Sequence, residues 1–340
     1  MARSVSATLE AAQIASNRKP YIYMLFTSAD GNTTYDYSID LQSRRILAID
    51  HYEEPYNDYA VVVLRNNDRT IPDLMGYWVE IGYGYVTGAG NEHSQTAHLW
   101  VEHQQVVSAG GRLYTVLELE GMWAKLMETL LRVGDPPFYT NTYSTNTIYD
   151  IIAVVLAEAG MTLDALVEDD GIIDTFIPTF DVNQVPFEDG RALIYRLISD
   201  TKSYLRPEQG LAFEVVYPDE YDANDEEYVS DAAYYFYSYM SRDNLLIPNH
   251  IYVFCNQDAD GTWTAANMIT GEALDQDEID RYGEVIGIDI AASIDNQDDA
   301  DSRAEALLYR AKAEASSGKL IVNHDCRVEL YDRIGVTDNR

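Results

Sequence analysis

From residue 21 to residue 121, apolar and polar positions alternate in short runs, the period of half-buried strands. The runs are YIYMLFT (21–27), RILAIDH (45–51), YAVVVLR (59–65), YWVEIGYGY (77–85), TAHLWVEHQQVV (96–107) and RLYTVLELEG (112–121). Stretches rich in Asn, Asp, Gly and Pro separate them, and Asp30 with Gly31 is a hairpin turn signal. Strands at this spacing predict a closed barrel or a sandwich. Ahead of them, residues 5–16 predict a short helix stopped by Pro20.

At Gly121 the period changes, and 122–133 predicts a helix. A second helix is expected over 148–159, where Ile148, Ile151, Ile152, Val155, Leu156 and Ala159 form one stripe. Thr147 with Asp150 three residues on reads as a capping box, and Gly160 as the stop. A third helix is expected over 188–203. Strands then return at 211–217, 232–240, 250–257, 262–270 and 284–294. A helix over 298–315 follows. Ala304, Leu307, Leu308, Ala311 and Ala315 make its apolar face, acids Asp298, Asp299 and Asp301 suit its N-terminal end, and Gly318 lies past its C-terminal end. In the last stretch Val328, Leu330, Ile334 and Val336 share one strand parity and predict a closing hairpin. The fold class is therefore α+β, mainly β, with two strand-rich parts around a mixed middle.

At 340 residues and 46% hydrophobic content, the chain can fold around more than one core. Its formal charge of -34 repels nucleic-acid phosphates, so no tight nucleic-acid binding is expected. The acids peak in PDEYDANDEEYVSD (218–231), read as a solvated loop or a weak cation site. The longest apolar run, IIAVVLA (151–157), is far too short to span a membrane. The N-terminus lacks the apolar centre of a signal peptide. Tyrosine is abundant, at 27 residues, and densest in YYFYSY (234–239). That run predicts a strand with aromatics on both faces, or a subunit contact.

Candidate chemistry is sparse. Cys255 and Cys326 form neither a disulfide framework nor a zinc pattern and are expected as small apolar residues in strands. The histidines are His51, His93, His98, His103, His250 and His324. His98 and His103 lie five apart on an extended segment and so point to opposite faces. Cys326 shares a strand face with His324 if extended, the only hint of a nucleophile and base. Residues 256–267 partly mimic a calcium loop through Asn256, Asp258, Asp260 and Gly261, but Asn267 stands where the bidentate Glu belongs. A hairpin at Asp260 and Gly261 explains them better. Trp78, Trp100 and Trp263 could serve as sugar platforms, and acid pairs for glycoside hydrolysis could arise among 57 carboxylates. No catalytic, cofactor-binding or metal-ligating residue is assigned, and no cofactor is expected.

Several stretches resemble the baseplate hub proteins of tailed phages and the related tail-tip hubs. RALIYRLISDTKSYLRPEQGLAFEV (191–215) is similar to the helix that leads into a strand in that family. SRDNLLIPNHIYVFCNQ (241–257) is similar to a segment where an Asn opens a barrel strand. RYGEVIGIDI, the helix after it and ELYDRIGVTD are similar to the elements that close a second barrel. The likeness spans roughly 20–340.

The resemblance implies two tail-tube-like β-barrels. The chain would then divide into an N-terminal helical arm (1–20), a first barrel (21–121), a mixed α/β region (122–205) and a second barrel (206–340) crossed by the helix at 298–315. It further implies a structural virion protein, not an enzyme: a homotrimeric hub joining the sixfold tail tube to a central spike or tip. Its implied partners are the tail tube, distal tail, spike or tip, and tape measure proteins, with DNA passing through the lumen. It would be assembled in the host cytoplasm. The stop at Arg340 points to a compact hub without an attached fibre. The alternative reading is a glycan-binding or glycan-hydrolysing β-protein.

Overall fold

The computed structural model describes residues 3–39, 44–130, 141–168, 170–182, 188–218, 223–243, 248–256, 263–264, 267–291 and 294–339. Helix α1 (Ala7–Ile14) comes first, started by the Ser6 hydroxyl, which accepts from the Leu9 amide at 3.0 Å. Eight strands follow: β1 (Pro20–Tyr23), β2 (Leu25–Thr27), β3 (Thr34–Asp36), β4 (Ile46–Glu54), β5 (Asn57–Arg65), β6 (Trp78–Thr87), β7 (Gly90–Ala109) and β8 (Arg112–Gly121). They form one antiparallel sheet in the order β3-β2-β6-β7-β8-β5-β4, with β1 beside β6. The long strand β7 pairs β6 along its first half and β8 along its second, with a bulge on each side.

Met24, Phe26, Val62, Leu64, Val79, Ile81, Leu99, Val101, Leu117 and Leu119 share one core, and Tyr35 of β3 and Ile49 of β4 pack against it. A flat sheet with strands about 4.8 Å apart cannot bring both edges onto one core, so the sheet curls. It does not close. Among the described residues β3 and β4 are not hydrogen-bonded to each other, so the expected first barrel is an open, curled sheet.

The middle region holds α2 (Met122–Glu128), β9 (Asn141–Tyr143), α3 (Ile148–Glu158), β10 (Thr162–Leu163), β11 (Phe180–Val182), α4 (Gly190–Ile198), β12 (Tyr204–Glu208) and β13 (Ala212–Val216). The expected capping box is present: the Thr147 hydroxyl accepts from the Asp150 amide and the Asp150 carboxylate accepts from the Thr147 amide. Gly160, with φ +73°, ends that turn. The predicted stripe on α3 is buried, and with α2 and α4 it builds a second core around Trp123 and Phe213. Helices α2 and α4 are shorter than the expected 122–133 and 188–203. Strand β12 was hidden by Pro207, which a sequence reading takes as a break. It sits on an edge strand, where its missing N–H costs no ladder bond.

The last third contains β14 (Glu226–Val229), β15 (Phe236–Asp243), β16 (His250–Cys255), β17 (Ile269–Leu274), α5 (Gln276–Tyr282), β18 (Ile286–Ala291), α6 (Gln297–Ala315), β19 (Ser316–Val322) and β20 (Ile334–Thr337). Helix α6 buries Ala300, Ala304 and Leu308, with Leu307, Ala311 and Ala315 partly covered, as the periodicity predicts. The expected second barrel is absent from the described residues. The strands form small separate sheets: β10-β13-β12, β14-β20, β15-β19 and β17-β16-β18. The expected final hairpin is also replaced. Strand β19 starts directly after α6, so Gly318 is a strand residue and not a helix stop. It pairs antiparallel with β15, whereas β20 pairs parallel with β14. Parity alone cannot reveal this, because an alternating run looks the same in a hairpin and in a parallel pair.

One close approach fixes the α6 layer. A Cβ on Gly271 of β17 would lie 2.0 Å from the Ala300 carbonyl oxygen of α6. Gly271→Ala is therefore expected to push helix and sheet apart at a cost of about 1–3 kcal/mol. A lower thermal unfolding midpoint checks this, and an unchanged midpoint would contradict the contact.

Candidate functional site: a buried ionic seam and two open apolar strands

The C-terminal segment docks on the beginning of the chain. Leu9 of α1, Tyr85 of β6 and Cys326 form a small core with Val5, Ala12 and Tyr83. Gln13, almost fully buried, donates to Asp325 at 2.6 Å and accepts from the Cys326 amide at 2.9 Å. The Tyr85 hydroxyl donates to the His324 carbonyl. The Arg3 amide donates to the Arg327 carbonyl at 2.8 Å. Helix α1 is thus held between the first sheet and the C-terminal segment.

Arginines, Arg206 buried and Arg3 and Arg327 half-buried, tie this junction to the middle region. Arg206 on β12 faces four carboxylates: Glu208 at 2.7 Å, Glu214 at 2.6 Å, Glu329 at 3.5 Å and Asp332 at 3.2 Å. It also donates to the Leu330 carbonyl. Arg3 pairs with the same Glu329 and donates to Ser94 of β7 at 3.1 Å. Arg327 pairs with Glu226 at 2.6 Å, Asp325 at 2.9 Å and Glu10 at 3.4 Å, and lies over the Tyr234 ring. With 57 acids against 23 bases, Arg206 and Arg327 each gather several carboxylates. An arginine so surrounded satisfies its five donors, while the surplus carboxylates repel one another.

That surplus shows in the titration of the acids. Burial raises Asp58, Glu208 and Glu226 to about 7 and Asp332 to about 6. Asp58 is held by the amides of Met122 and Trp123 at the start of α2. A carboxylate whose folded pKa is raised makes the native chain bind more protons than the unfolded chain between about pH 4 and 7, so stability falls as pH rises through that window. His51, lowered to about 4 by burial, works the other way below its unfolded pKa, as do His93 and His324. Above about pH 6.5 these histidines no longer oppose the carboxylates, and His250, whose pKa is raised by Glu284 and Glu272, works in the carboxylates' direction. The chain is therefore expected to show a higher urea midpoint at pH 6 than at pH 7.5. An equal or lower midpoint at pH 6 would contradict the seam's charge balance.

Beside the seam lies a cleft of about 390 Å³ lined by Arg3, His51, Tyr83, Ser94, His324 and Cys326, among others. The His51 Nδ1 and the Tyr83 hydroxyl are 3.1 Å apart, and His324 packs on the Tyr83 ring at 4.4 Å. His51, Tyr83 and His324 are far apart in sequence, and nothing in their local patterns joins them. Burial pushes the Cys326 thiol up to about 12 and the Cys255 thiol to about 11. Neither is poised as a thiolate at neutral pH. Cys255 lies in a strand as expected, whereas Cys326 lies in the irregular segment after β19.

Two strand groups carry apolar side chains into solvent. In the sheet β17-β16-β18, one face lies on α6 through Ile251, Val253 and Cys255. The opposite face is open along β18. There Ile286, Ile288 and Ile290 of the edge strand β18 are 51%, 69% and 61% exposed. His250 on the same face is clamped between Glu284 at 2.7 Å and Glu272 at 2.8 Å. Burial opposes its charged form, but the two carboxylates outweigh it and hold its pKa above the usual value. The second group is the two-stranded ribbon β15-β19, where Tyr237, Tyr239, Met240 and Ile321 are exposed. The tyrosines of YYFYSY divide between packed and exposed positions. Tyr234 packs under Arg327, while Tyr237 and Tyr239 face outward.

His98 is buried against Glu80 at 2.9 Å between Trp78 and Trp100, while His103 is exposed beyond a bulge. Among the described residues no group of three His, Cys, Asp or Glu side chains could hold a metal ion. Within 256–267, the Asn256 side chain donates to the Asn267 carbonyl at 2.7 Å, and Asp258, Asp260 and Gly261 lie outside the described residues. In 218–231, Glu226 and Tyr228 belong to strand β14 and are tied to Arg327 and Asp325, so that part is not a solvated loop. No described helix is long and apolar enough to cross a membrane. The arginines of the seam escaped the sequence reading. Arg206 follows only two apolar residues, Tyr204 and Leu205, and precedes Pro207 and Glu208, so its neighbours carry no signal of burial.

No protein-family model and no curated protein matches the sequence. Among solved structures the chain is similar to the tail protein from Neisseria meningitidis MC58. The identity is 11%, over 94% of this chain and 87% of that one, with a TM-score of 0.61. It is also similar to the 43 kDa tail protein of prophage MuSo2 from Shewanella oneidensis, at 12% identity over 94% of this chain and 89% of that one, with a TM-score of 0.62. The chain shares its fold with these two tail proteins over nearly its whole length.

Proposed function

We propose that the chain is a structural protein of a phage tail. In this reading it forms a homotrimeric hub that joins the sixfold tail tube to the central spike or tip. The observation that carries this reading is the fold, shared with two phage-type tail proteins across 94% of the chain. The disposition of side chains supports it. Arg3, Arg206 and Arg327 are spent on tying the C-terminal segment to the start and middle of the chain, and exposed apolar strands are left on the outside.

The tail tube, distal tail, spike or tip, and tape measure proteins are its proposed neighbours, in a virion assembled in the host cytoplasm. The charge of -34 suits a wall past which DNA slides without adhering. The role is structural and not enzymatic. Sedimentation of the purified chain tests the reading: a particle of three 38.4 kDa chains is expected. A single chain that binds or cleaves a polysaccharide would replace it with the glycan reading.

A further inference from the structure

The two open apolar strand groups differ in charge, and that difference assigns them to each other. The β18 face presents Ile286, Ile288 and Ile290 beside Tyr252 and Phe254 of β16, since register places Tyr252 against Ile288 and Phe254 against Ile290. Its rim is acidic, formed by Glu272 and Glu284 around His250. Strand β18 is also an edge of its sheet, with one side of its backbone unpaired in that sheet.

The β15-β19 ribbon has the opposite character. Met240 pairs in register with Lys319, and Ser238 with Ile321, so Met240, Lys319 and Ile321 share one side. All three are exposed. A two-stranded ribbon is marginal by itself, and apolar side chains on its open side favour being covered. In a chain of charge -34, a cation of one copy set against an acidic rim of another offsets the repulsion between the copies.

We propose that the isoleucine face of β18 in one copy receives the Met240–Ile321 side of the β15-β19 ribbon of a second copy, with Lys319 against Glu272 and Glu284. The two surfaces are different patches of one chain, so the contact is head-to-tail and generates a ring when the rotation closes. The inference rests on the homotrimer reading and names the surfaces that build it.

The test uses the full chain with Ile288→Glu and Ile321→Glu, two exposed positions where a carboxylate leaves the folded cores untouched. Each variant alone is expected to sediment as a single chain. Mixed in equal amounts they should form a pair and nothing larger, because Ile288→Glu keeps a working ribbon and Ile321→Glu keeps a working β18 face. Variants that still form the wild-type ring, or a mixture that does not pair, would overturn the assignment of these surfaces while leaving the trimer standing. A wild-type chain that sediments singly would overturn the trimer itself, and this contact with it.

Discussion

Arg206→Ala is expected to destabilise the folded chain by about 3–5 kcal/mol at neutral pH, the cost of stripping the partner from a buried ion cluster. The loss exceeds that of an ordinary surface salt bridge for a geometric reason. Arg206 is nearly inaccessible, and Glu208, Glu214, Glu329 and Asp332 all point at it. Without the guanidinium these carboxylates repel one another in a poorly solvated space. Protons can replace the missing cation, so the deficit should shrink on acidification and the variant should gain more stability between pH 7.5 and pH 6 than the wild type does. Arg206→Lys should recover part of the loss, since one ammonium supplies the charge but not the planar fork. The urea midpoints of the three proteins at both pH values check this. A loss below about 1 kcal/mol for Arg206→Ala would mean the seam is not what joins β12 to the C-terminal segment.

Trp123→Ala is expected to cost about 3–5 kcal/mol by opening a cavity at the junction of the first sheet and the helical middle. Trp123 is fully buried on α2, with the Tyr56 ring edge-on at 5.1 Å and the Phe213 ring edge-on at 4.9 Å. Tyr56 belongs to the β4–β5 turn and Phe213 to β13, so one side chain spans three elements distant in sequence. Trp123→Phe keeps an aromatic body between the two rings and should lose markedly less. Calorimetry of the pair checks the claim. Equal, small effects for both substitutions would show that the junction does not depend on this contact.

Much of the local structure was readable from the sequence, and most of the long-range structure was not. The stripe on α3, its Thr147–Asp150 box and the apolar face of α6 are decided by neighbours within one helical turn, and all are present. The strands from β4 to β8 follow from alternation, with boundaries shifted by a few residues. Closure of a sheet is different. It depends on whether β3 meets β4, and whether β16 continues into a barrel or turns under α6, and alternation is the same in each case. The role of Val328, Leu330, Ile334 and Val336 was misread for this reason. The C-terminal segment docks against α1 and Arg206 instead of folding back on itself. The cleft at His51, Tyr83 and His324 was equally hidden, because three segments without a shared motif create it.

The proposed place of this chain is in a phage tail, at the junction of tube and tip. Antibody raised against the folded chain and viewed by electron microscopy on purified phage particles tests it most directly. Label is expected at the distal end of the tail tube, and only there. Label spread along the tube, or particles that carry none of the chain, would contradict it.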